Sequence, residues 1–311
     1  MECIICNRNM KYIGNNSSFP ESKVYQCNKC EFALTNPLPT SDQIKEFYES
    51  GFYVKDTNLS GLEQRLQFSE KRAVSQFNFI KDSLPKPSSR IKALELGCSE
   101  GSLLILLEKY GFQVTAYEPD IKMAKLANER LMNENSKVLN QLFSEEELGV
   151  ENYYDLICSS HVFEHIAQPN SHLNSIKKAL KKNGCLFLEI PNQYALKNFV
   201  GSHATKHGHL YCYSPQSIQE LLKNNGFKVI TLKTCGKSAK EVKGSRNKSN
   251  KSYLGKMLTK IGNKIHKKIS AFHSESVTSK NTQIPFEQYW DNQGIQGQWI
   301  RVLATVNSSD F

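Results

Sequence analysis

The sequence has no long apolar run, and none of its hydrophobic stretches approaches the ~18–20 residues needed to span a bilayer. Its first residues, MECIICNRNM, also lack the succession of basic, apolar and small residues of a secretory signal peptide. A transmembrane or exported protein is therefore not expected. We predict a cytoplasmic protein whose 311 residues suffice for one large core and a small accessory unit.

The nine cysteines do not indicate a disulfide framework, because cytoplasmic thiols stay reduced. Four of them instead form two C-x2-C pairs separated by 20 residues: Cys3, Cys6, Cys27 and Cys30. This spacing supplies four thiolates for a tetrahedral zinc ion, with no position left for water. We therefore predict a structural zinc; the alternative is a ribbon that folds without metal. The other five cysteines occur singly and are expected to be small buried residues.

Positive charge is not spread over the chain, although the formal net charge is +10. Residues 237–268 hold eleven Lys and Arg against one acid, Glu241, which accounts for the whole excess. After a polar stretch predicted to be disordered, residues 253–272 place apolar and lysine side chains on opposite faces of a basic amphipathic helix. Three interpretations stay open. The helix packs on the protein's own core, rests on the anionic inner face of the membrane near a lipid-linked glycan, or binds nucleic acid or a partner.

The most informative stretch is IKALELGCSEG, residues 91–101. It predicts a buried strand, then a tight loop with Gly97, Ser99 and Gly101, and then a helix over 102–110. Such a loop brings backbone N–H groups close to a nucleotide-like ligand. Glu118, at the end of the next predicted strand, lies about 20 residues further on, where a carboxylate can accept both ribose hydroxyls. The alternative is close packing of strand and helix, and the loop lacks the G-x-G-x-x-G of a dinucleotide site.

From residue 91 onward, predicted strands and helices alternate, which is typical of a mostly parallel sheet with helices on both faces. The predicted helices of this part are 102–110, 121–132, 173–181 and 215–224, the last with Ser214 as its N-cap. Two helices are predicted ahead of it, a short one from Ser41 and a longer one over Leu59–Leu84.

Four stretches occur in the order and spacing of class I S-adenosylmethionine (SAM)-dependent methyltransferases: 93–101, 116–120, 155–166 (DLICSSHVFEHI) and 180–192. The pattern Glu95-x-Gly97-x-Ser99-x-Gly101 resembles the E/D-x-G-x-G-x-G loop of that family, with serine at the middle glycine. The H-V-x-E-H run resembles the group that contains ubiquinone-pathway and sugar-modifying methyltransferases. The paired cysteines resemble the zinc-binding unit that precedes this domain in sugar C-methyltransferases and surface-glycan methyltransferases.

The resemblance implies an α/β, Rossmann-like class I methyltransferase sheet with helices on both faces and a final antiparallel strand pair, preceded by a small zinc ribbon. It implies two cofactors, SAM and a structural zinc. The SAM-binding residues that it implies are Glu95, Gly97, Ser99, Gly101, Glu118 and Ser159. Asn140 and Gln141 stand where the family usually has an acidic residue near the adenine.

An acceptor hydroxyl or acidic carbon calls for a general base. The candidates are His161, His209 and Glu164, with His161 open between an active-site and a structural role and His165 assigned a structural one. The H-V-x-E-H run is expected to begin a helix. A loop with His203, His207 and His209 is interpreted as a substrate lid, because its spacing fits no closed metal site.

The predicted organisation is a zinc-binding ribbon (1–38), a helical linker or cover (39–89), a SAM-binding core (90–235), a basic insert (236–298) and a final core strand (299–311). The resemblance implies methyl transfer to a small-molecule or glycan acceptor, above all a nucleotide-linked or surface-polysaccharide sugar, on oxygen or carbon. The first alternative is an RNA methyltransferase, which is disfavoured because the fourth strand lacks an N/D-P-P-Y run. The second is a non-catalytic SAM-binding or scaffold protein.

Overall fold

The computed structural model describes residues 1–49, 59–88, 90–143, 148, 150–192, 207–238 and 297–307. The predicted amphipathic helix, 253–272, and His203 lie outside these residues. In chain order the elements are β1 (Met10–Asn15), β2 (Lys23–Cys27), β3 (Ala33–Asn36), α1 (Ser41–Glu49), α2 (Leu59–Ile80), β4 (Lys92–Leu96), α3 (Ser102–Tyr110), β5 (Gln113–Tyr117), α4 (Ile121–Arg130), β6 (Lys137–Leu139), β7 (Tyr154–Ser160), α5 (Pro169–Ala179), β8 (Leu180–Pro191), β9 (Tyr211–Cys212), α6 (Pro215–Asn224), β10 (Phe227–Ser238) and β11 (Gly297–Val306).

The larger sheet has seven strands in the order β10-β11-β8-β7-β4-β5-β6. Strands β4 to β8 run parallel to one another. Strand β11 lies antiparallel to both β8 and β10. This arrangement confirms the α/β fold class and the antiparallel strand pair expected at the end of the chain.

Helices cover both faces of this sheet. Successive strand residues alternate between two buried clusters: Leu94 and Ile157 belong to one, whereas Ala93 and Leu156 belong to the other. Helices α5 and α6 complete the first cluster, and α2, α3 and α4 complete the second. A parallel sheet covered in this way receives ligands at the carboxyl ends of its strands. No helix of the described ranges is both long enough and apolar enough for a bilayer-spanning segment.

The smaller sheet joins the N-terminal residues to the core, in the order β1-β2-β3-β9. Its strands β1 to β3 come from the cysteine-containing N-terminus, but β9 is contributed by the chain just before α6. The Ser214 hydroxyl, which caps α6 by accepting from Ser217 N, donates to the carbonyl of Cys30 at 2.7 Å. The N-terminal unit is therefore bonded directly to the segment that follows His209.

Several helix boundaries differ from the sequence prediction, and the helices predicted over 59–84 and 121–132 end earlier, at Ile80 and Arg130. The helix predicted over 173–181 begins at Pro169 and ends at Ala179. Proline suits the first helical position, because its missing N–H would have no partner within the helix. Leu180 already pairs with Tyr154, so the next strand starts before the predicted turn. The H-V-x-E-H run does not begin a helix either: Phe163–His165 form one 3-10 turn.

Candidate active site

The loop between β4 and α3 has the left-handed backbone that its small residues allow. Gly97, Ser99 and Gly101 have φ values of 69°, 51° and 78°. A Cβ atom added to Gly97 would collide with Cγ2 of Val162, which belongs to the H-V-x-E-H run. Glycine is therefore required at residue 97 for both conformation and space, and the loop packs directly against the segment that holds the candidate bases.

The Glu118 carboxylate holds this loop in place. Its Oε2 accepts from the N–H of Ser99 at 2.7 Å, and its Oε1 accepts from the N–H of Asp120 at 2.9 Å. Burial raises the pKa of Glu118, and these N–H groups offset only part of that effect. Since each carboxylate oxygen can accept two hydrogen bonds, both oxygens keep acceptor capacity on the side that lines the cavity described below.

Glu95 is a second buried carboxyl group beside the loop. The residue is 4% exposed, and its Oε2 has no hydrogen-bond partner among the described residues. Burial raises the pKa of Glu95 well above its ordinary value. A buried, unpartnered acceptor of this kind favours a cationic ligand group next to it.

The end of β7 places Ser160 and His161 at the same cavity, but not Ser159. Ser159 is fully buried, and its hydroxyl lies outside the residues that line the cavity. Alternate residues of a strand point to opposite faces, so the two neighbouring serine side chains lie on different sides of the sheet. The contact of Ser159 with SAM stays a prediction. The structure also places Gln141 on the cavity, whereas Asn140 donates to the backbone carbonyls of Glu118 and Pro119.

His161 lies between two carboxylates. Its Nδ1 is 3.5 Å from Glu164 Oε1, and its Nε2 is 3.4 Å from Glu189 Oε1. Burial lowers the pKa of His161, but the two carboxylates raise it further, to a value above the ordinary one. Its ring also meets Trp299 edge-on, with centroids 5.4 Å apart. This environment favours a protonated His161 that donates hydrogen bonds over a His161 that acts as a base.

Glu164 lies at the centre of a histidine cluster. The residue is 1% exposed, and neither of its carboxylate oxygens has a hydrogen-bond partner within the described part of the chain. His209 Nε2 is 3.8 Å from its Oε1. Burial opposes ionisation, yet the interaction with His161 and the nearby His165 and His209 lower the pKa of Glu164 to about 2. Burial lowers the pKa of His209 to about 3. A buried anion therefore lies beside a neutral imidazole.

The N-terminal unit fixes the backbone of this histidine segment. Asn16 Nδ2 donates to the carbonyl of His209 at 3.3 Å, and the N–H of Gly208 donates to Ser18 Oγ at 3.0 Å. The rings of His165 and His209 are 4.9 Å apart. The histidine cluster is thus held by residues of the N-terminal unit that lie far from it in the sequence.

All these groups open on one cavity of ≈ 1140 Å³. Its lining contains the loop from Glu95 to Glu100, Glu118, Ser160, His161, Glu164, His165, His207 and His209. A pocket for one small ligand typically measures about 300–1,000 Å³, so this cavity has room for more than one.

The four cysteines predicted as metal ligands meet away from this cavity. Their Sγ atoms lie within 4.8 Å of one another, with Cys3–Cys30 at 3.6 Å and Cys6–Cys27 at 3.5 Å. Four thiolates around a tetrahedral zinc at about 2.3 Å are separated by roughly 3.8 Å, which is close to these distances. All four are free thiols in the structure, so the cluster is compatible with a zinc ribbon.

A family model described as a methyltransferase domain matches residues 68–232, more than half of the chain. The chain belongs to this methyltransferase family. The ubiquinone biosynthesis O-methyltransferase of Pelagibacter ubique is 29% identical over 127 residues, which are 40% of this chain and 52% of that protein. The protein of the same name from Rickettsia akari is 24% identical over 54% of this chain and 68% of its own length. The methyltransferase described here spans about half the length of several curated relatives that it matches.

One solved structure shows the fold of this methyltransferase. A chain of the complex between the Haloferax volcanii Trm112 methyltransferase activator and a methyltransferase aligns with a TM-score of 0.50. The alignment has 12% sequence identity and covers 78% of this chain and 93% of that chain. Family and fold together support SAM as the methyl donor.

Sequence inspection missed the contribution of α2 to the methyltransferase site. Arg65, Arg72 and Gln76 project from one face of this helix and line the cavity. Arg65 Nη2 donates to Ser99 Oγ at 3.0 Å, which helps to hold the loop between β4 and α3 in place. These residues are seven and four positions apart, which places their polar side chains on one face of the helix. This spacing is the sequence feature from which their role could have been predicted.

A buried ion pair lies next to the end of β7. Arg301 Nε donates to Glu189 Oε2 at 2.5 Å, and the two side chains are 1% and 0% exposed. Gln76 Nε2 donates both to Glu189 Oε1 at 3.0 Å and to Ser160 Oγ at 2.9 Å. Although burial opposes ionisation, the Arg301 charge and His161 lower the pKa of Glu189 below its ordinary value. The pair therefore joins β11 to β8, and Gln76 links Glu189 to Ser160 at the end of β7.

We expect the Glu189→Gln variant of the methyltransferase to lose about 3–5 kcal/mol of unfolding free energy at pH 7, because Arg301 would remain buried without its counter-charge. Because folding lowers the pKa of Glu189, its ionised form stabilises the fold fully at pH values above the unfolded-state pKa of about 4.3. This stabilisation is lost as the pH falls through the lower pKa of the folded state. The difference between wild type and variant should therefore shrink below pH ~4. Urea unfolding at pH 7 and pH 3 measures both effects, and the double variant Glu189→Leu/Arg301→Met should recover part of the loss. A loss below about 1 kcal/mol at pH 7 would contradict the assignment.

Proposed function

We propose that this protein transfers the methyl group of SAM to a hydroxyl oxygen of a small-molecule acceptor. SAM supplies an electrophilic methyl group, and the protein needs above all to hold the acceptor in line with it. The observation that carries the proposal is that the loop bonded to Glu118 and the buried Glu164 cluster open on the same cavity.

The residues at the loop fit SAM by their chemistry. Gly97 lets the backbone come close to a ligand, since no Cβ fits there. Glu118 keeps acceptor capacity on both oxygens, which suits the two ribose hydroxyls. The unpartnered Oε2 of Glu95 suits the ammonium group of the methionine part. Ser99 contributes its backbone N–H to Glu118, whereas its hydroxyl is bonded to Arg65.

The acceptor belongs at the other end of the cavity, beside Ser160, His161, Glu164 and His209. Of the three candidate bases, His161 is the least suited to take a proton, because two carboxylates favour its protonated form. Glu164 and His209 remain the candidates for taking the hydroxyl proton.

For the acceptor, relatives named ubiquinone biosynthesis O-methyltransferases support a small-molecule hydroxyl. Within that class, we keep a nucleotide-linked or glycan sugar as the proposed acceptor, on the resemblance of the cysteine-containing N-terminus to sugar methyltransferases. The RNA alternative depends on the basic segment, which lies outside the described residues. We also propose that Cys3, Cys6, Cys27 and Cys30 hold a structural zinc, with thiolate separations that suit tetrahedral coordination.

We expect Glu118→Gln to lower the affinity for SAM by at least ~10-fold, because two hydrogen bonds to a charged acceptor would be weakened. Isothermal titration calorimetry with SAM measures this effect. The matched control is Glu129→Gln on the exposed surface of α4, which should bind SAM as the wild type does. Equal affinity of wild type and Glu118→Gln would contradict the assignment of the loop.

The same variants test the reaction. With methyl-labelled SAM, wild type and Glu129→Gln should transfer label to a small-molecule pool that includes nucleotide sugars and phenols, and Glu118→Gln should transfer at least ~10-fold less at limiting SAM. If label appears only in total RNA, the acceptor is RNA, and the proposed small-molecule acceptor is wrong. Label in no pool, together with normal SAM binding, would support the scaffold alternative.

We expect the purified chain to contain one zinc per molecule by mass spectrometry of metals. Cys27→Ser should lose it and unfold at lower temperature, because a unit this small obtains much of its folding free energy from the metal. Cys98→Ser is the matched control, since Cys98 lies outside the cluster. Full zinc content in Cys27→Ser would contradict the site.

A further inference from the structure

We propose that Asn16 of the N-terminal unit is a positioning residue, which holds the candidate base His209 in place at the acceptor end of the cavity. The inference rests on the proposed function, in which the acceptor binds beside His209. Asn16 Nδ2 donates to the carbonyl of His209 at 3.3 Å, although the two residues are 193 positions apart in the sequence. Asn16 is 1% exposed and lies outside the described lining of the cavity, so it acts through His209.

The amide of Asn16 uses both its donors and its acceptor. Its Nδ2 donates to Thr35 Oγ1 at 2.8 Å as well as to His209. Its Oδ1 accepts from the N–H groups of Ser18 at 2.9 Å and Phe19 at 3.1 Å. Because backbone N–H groups can only donate, these contacts determine which end of the amide is the oxygen. The other end must then carry the donors, and one of them is aimed at the His209 carbonyl.

The residues on either side of the candidate base are held by the same unit. The N–H of Gly208 donates to Ser18 Oγ at 3.0 Å, and the carbonyl of Leu210 accepts from the N–H of Thr35 at 2.9 Å. On its other side, Leu210 donates its own N–H to the carbonyl of Glu164 at 3.0 Å. This three-residue segment therefore lies between the N-terminal unit and the 3-10 turn that follows β7.

Packing leaves the segment little room to move as a whole. Gly208 has a φ of 76°, and a Cβ atom on it would lie 2.6 Å from Cε1 of Phe47. The Phe47 ring in turn packs on Phe19, with centroids 5.5 Å apart. Loss of the Asn16 amide should therefore release the peptide group of His209 while its neighbours stay bonded, and the imidazole would then shift within the cavity.

A purely structural role is the alternative, in which Asn16 only stabilises the docking of the N-terminal unit on the core. Asn224 provides a matched control, because its Nδ2 donates to the carbonyl of Ile5 at 2.9 Å across the same interface. Asn224 is the last residue of α6 and lies outside the described cavity lining. Each bond joins the unit to the core, but of the two amides only that of Asn16 reaches His209.

Carbethoxylation by diethyl pyrocarbonate tests the position of His209 without methyl transfer. The reagent attacks accessible neutral imidazoles, and mass spectrometry of peptides gives the rate at each histidine. In the wild-type full chain His209 should react slowly, because its side chain is 12% exposed. In Asn16→Ala it should react at least ~5-fold faster, because the released peptide group opens locally. Asn224→Ala should keep the wild-type rate, and the buried His172 should stay protected in every folded variant.

Ligand binding and methyl transfer complete the test. Asn16→Ala should bind S-adenosylhomocysteine as the wild type does, since Asn16 lies outside the described cavity lining. With methyl-labelled SAM it should transfer at least ~10-fold less label to the small-molecule pool, because a misplaced catalytic group lowers the rate steeply. If the wild type transfers no label, the proposed function is wrong, whereas the reactivity of His209 still decides whether Asn16 positions it.

If Asn16→Ala does not fold, Asn16→Asp decides. This variant keeps an oxygen for the N–H groups of Ser18 and Phe19 but has no Nδ2 donor, so His209 should again react faster. Three results would overturn the proposal: a wild-type rate of modification at His209 in a folded Asn16 variant, equal acceleration by Asn224→Ala, or wild-type methyl transfer by a folded Asn16 variant.

Discussion

The parallel pairing of β4 with its two neighbours determines the geometry of everything that follows. Leu96, the last residue of β4, lies beside Tyr117 on β5 and beside Ser159 on β7. The next residues along the three strands, Gly97, Glu118 and Ser160, therefore lie at the same edge of the sheet. Glu118 can reach the N–H of Ser99 only because of this register, and the cavity forms above the same edge.

A second constraint couples the two ends of that cavity. The side chain of Val162 occupies the space that a side chain on residue 97 would need. The loop and the H-V-x-E-H run are therefore in direct contact there. The run in turn meets His209, whose backbone carbonyl accepts a hydrogen bond from Asn16 of the N-terminal unit. The cysteine-containing unit is therefore joined to the histidine cluster by a direct hydrogen bond.

Local patterns predicted the features that local chemistry determines. The helix over 102–110, the Ser214 cap and the place of Glu118 follow from residue types at short spacing, and the structure has each of them. Of the two serines at the end of β7, Ser160 lines the cavity and Ser159 does not, which residue types alone do not show. Of Asn140 and Gln141, Gln141 lines the cavity, whereas the amide of Asn140 donates to backbone carbonyls.

Sequence inspection could name His209 and Glu164 as candidates, but it could not show which residues from distant parts of the chain meet. His209 and Glu164 meet only because β9 joins the smaller sheet, and Arg301 reaches Glu189 only because β11 inserts beside β8. A crystal structure with S-adenosylhomocysteine tests the central claim most directly. The account predicts the ligand against the loop 97–101, with both ribose hydroxyls on the Glu118 carboxylate. A ligand bound elsewhere, or a ribose out of hydrogen-bond reach of Glu118, would contradict it.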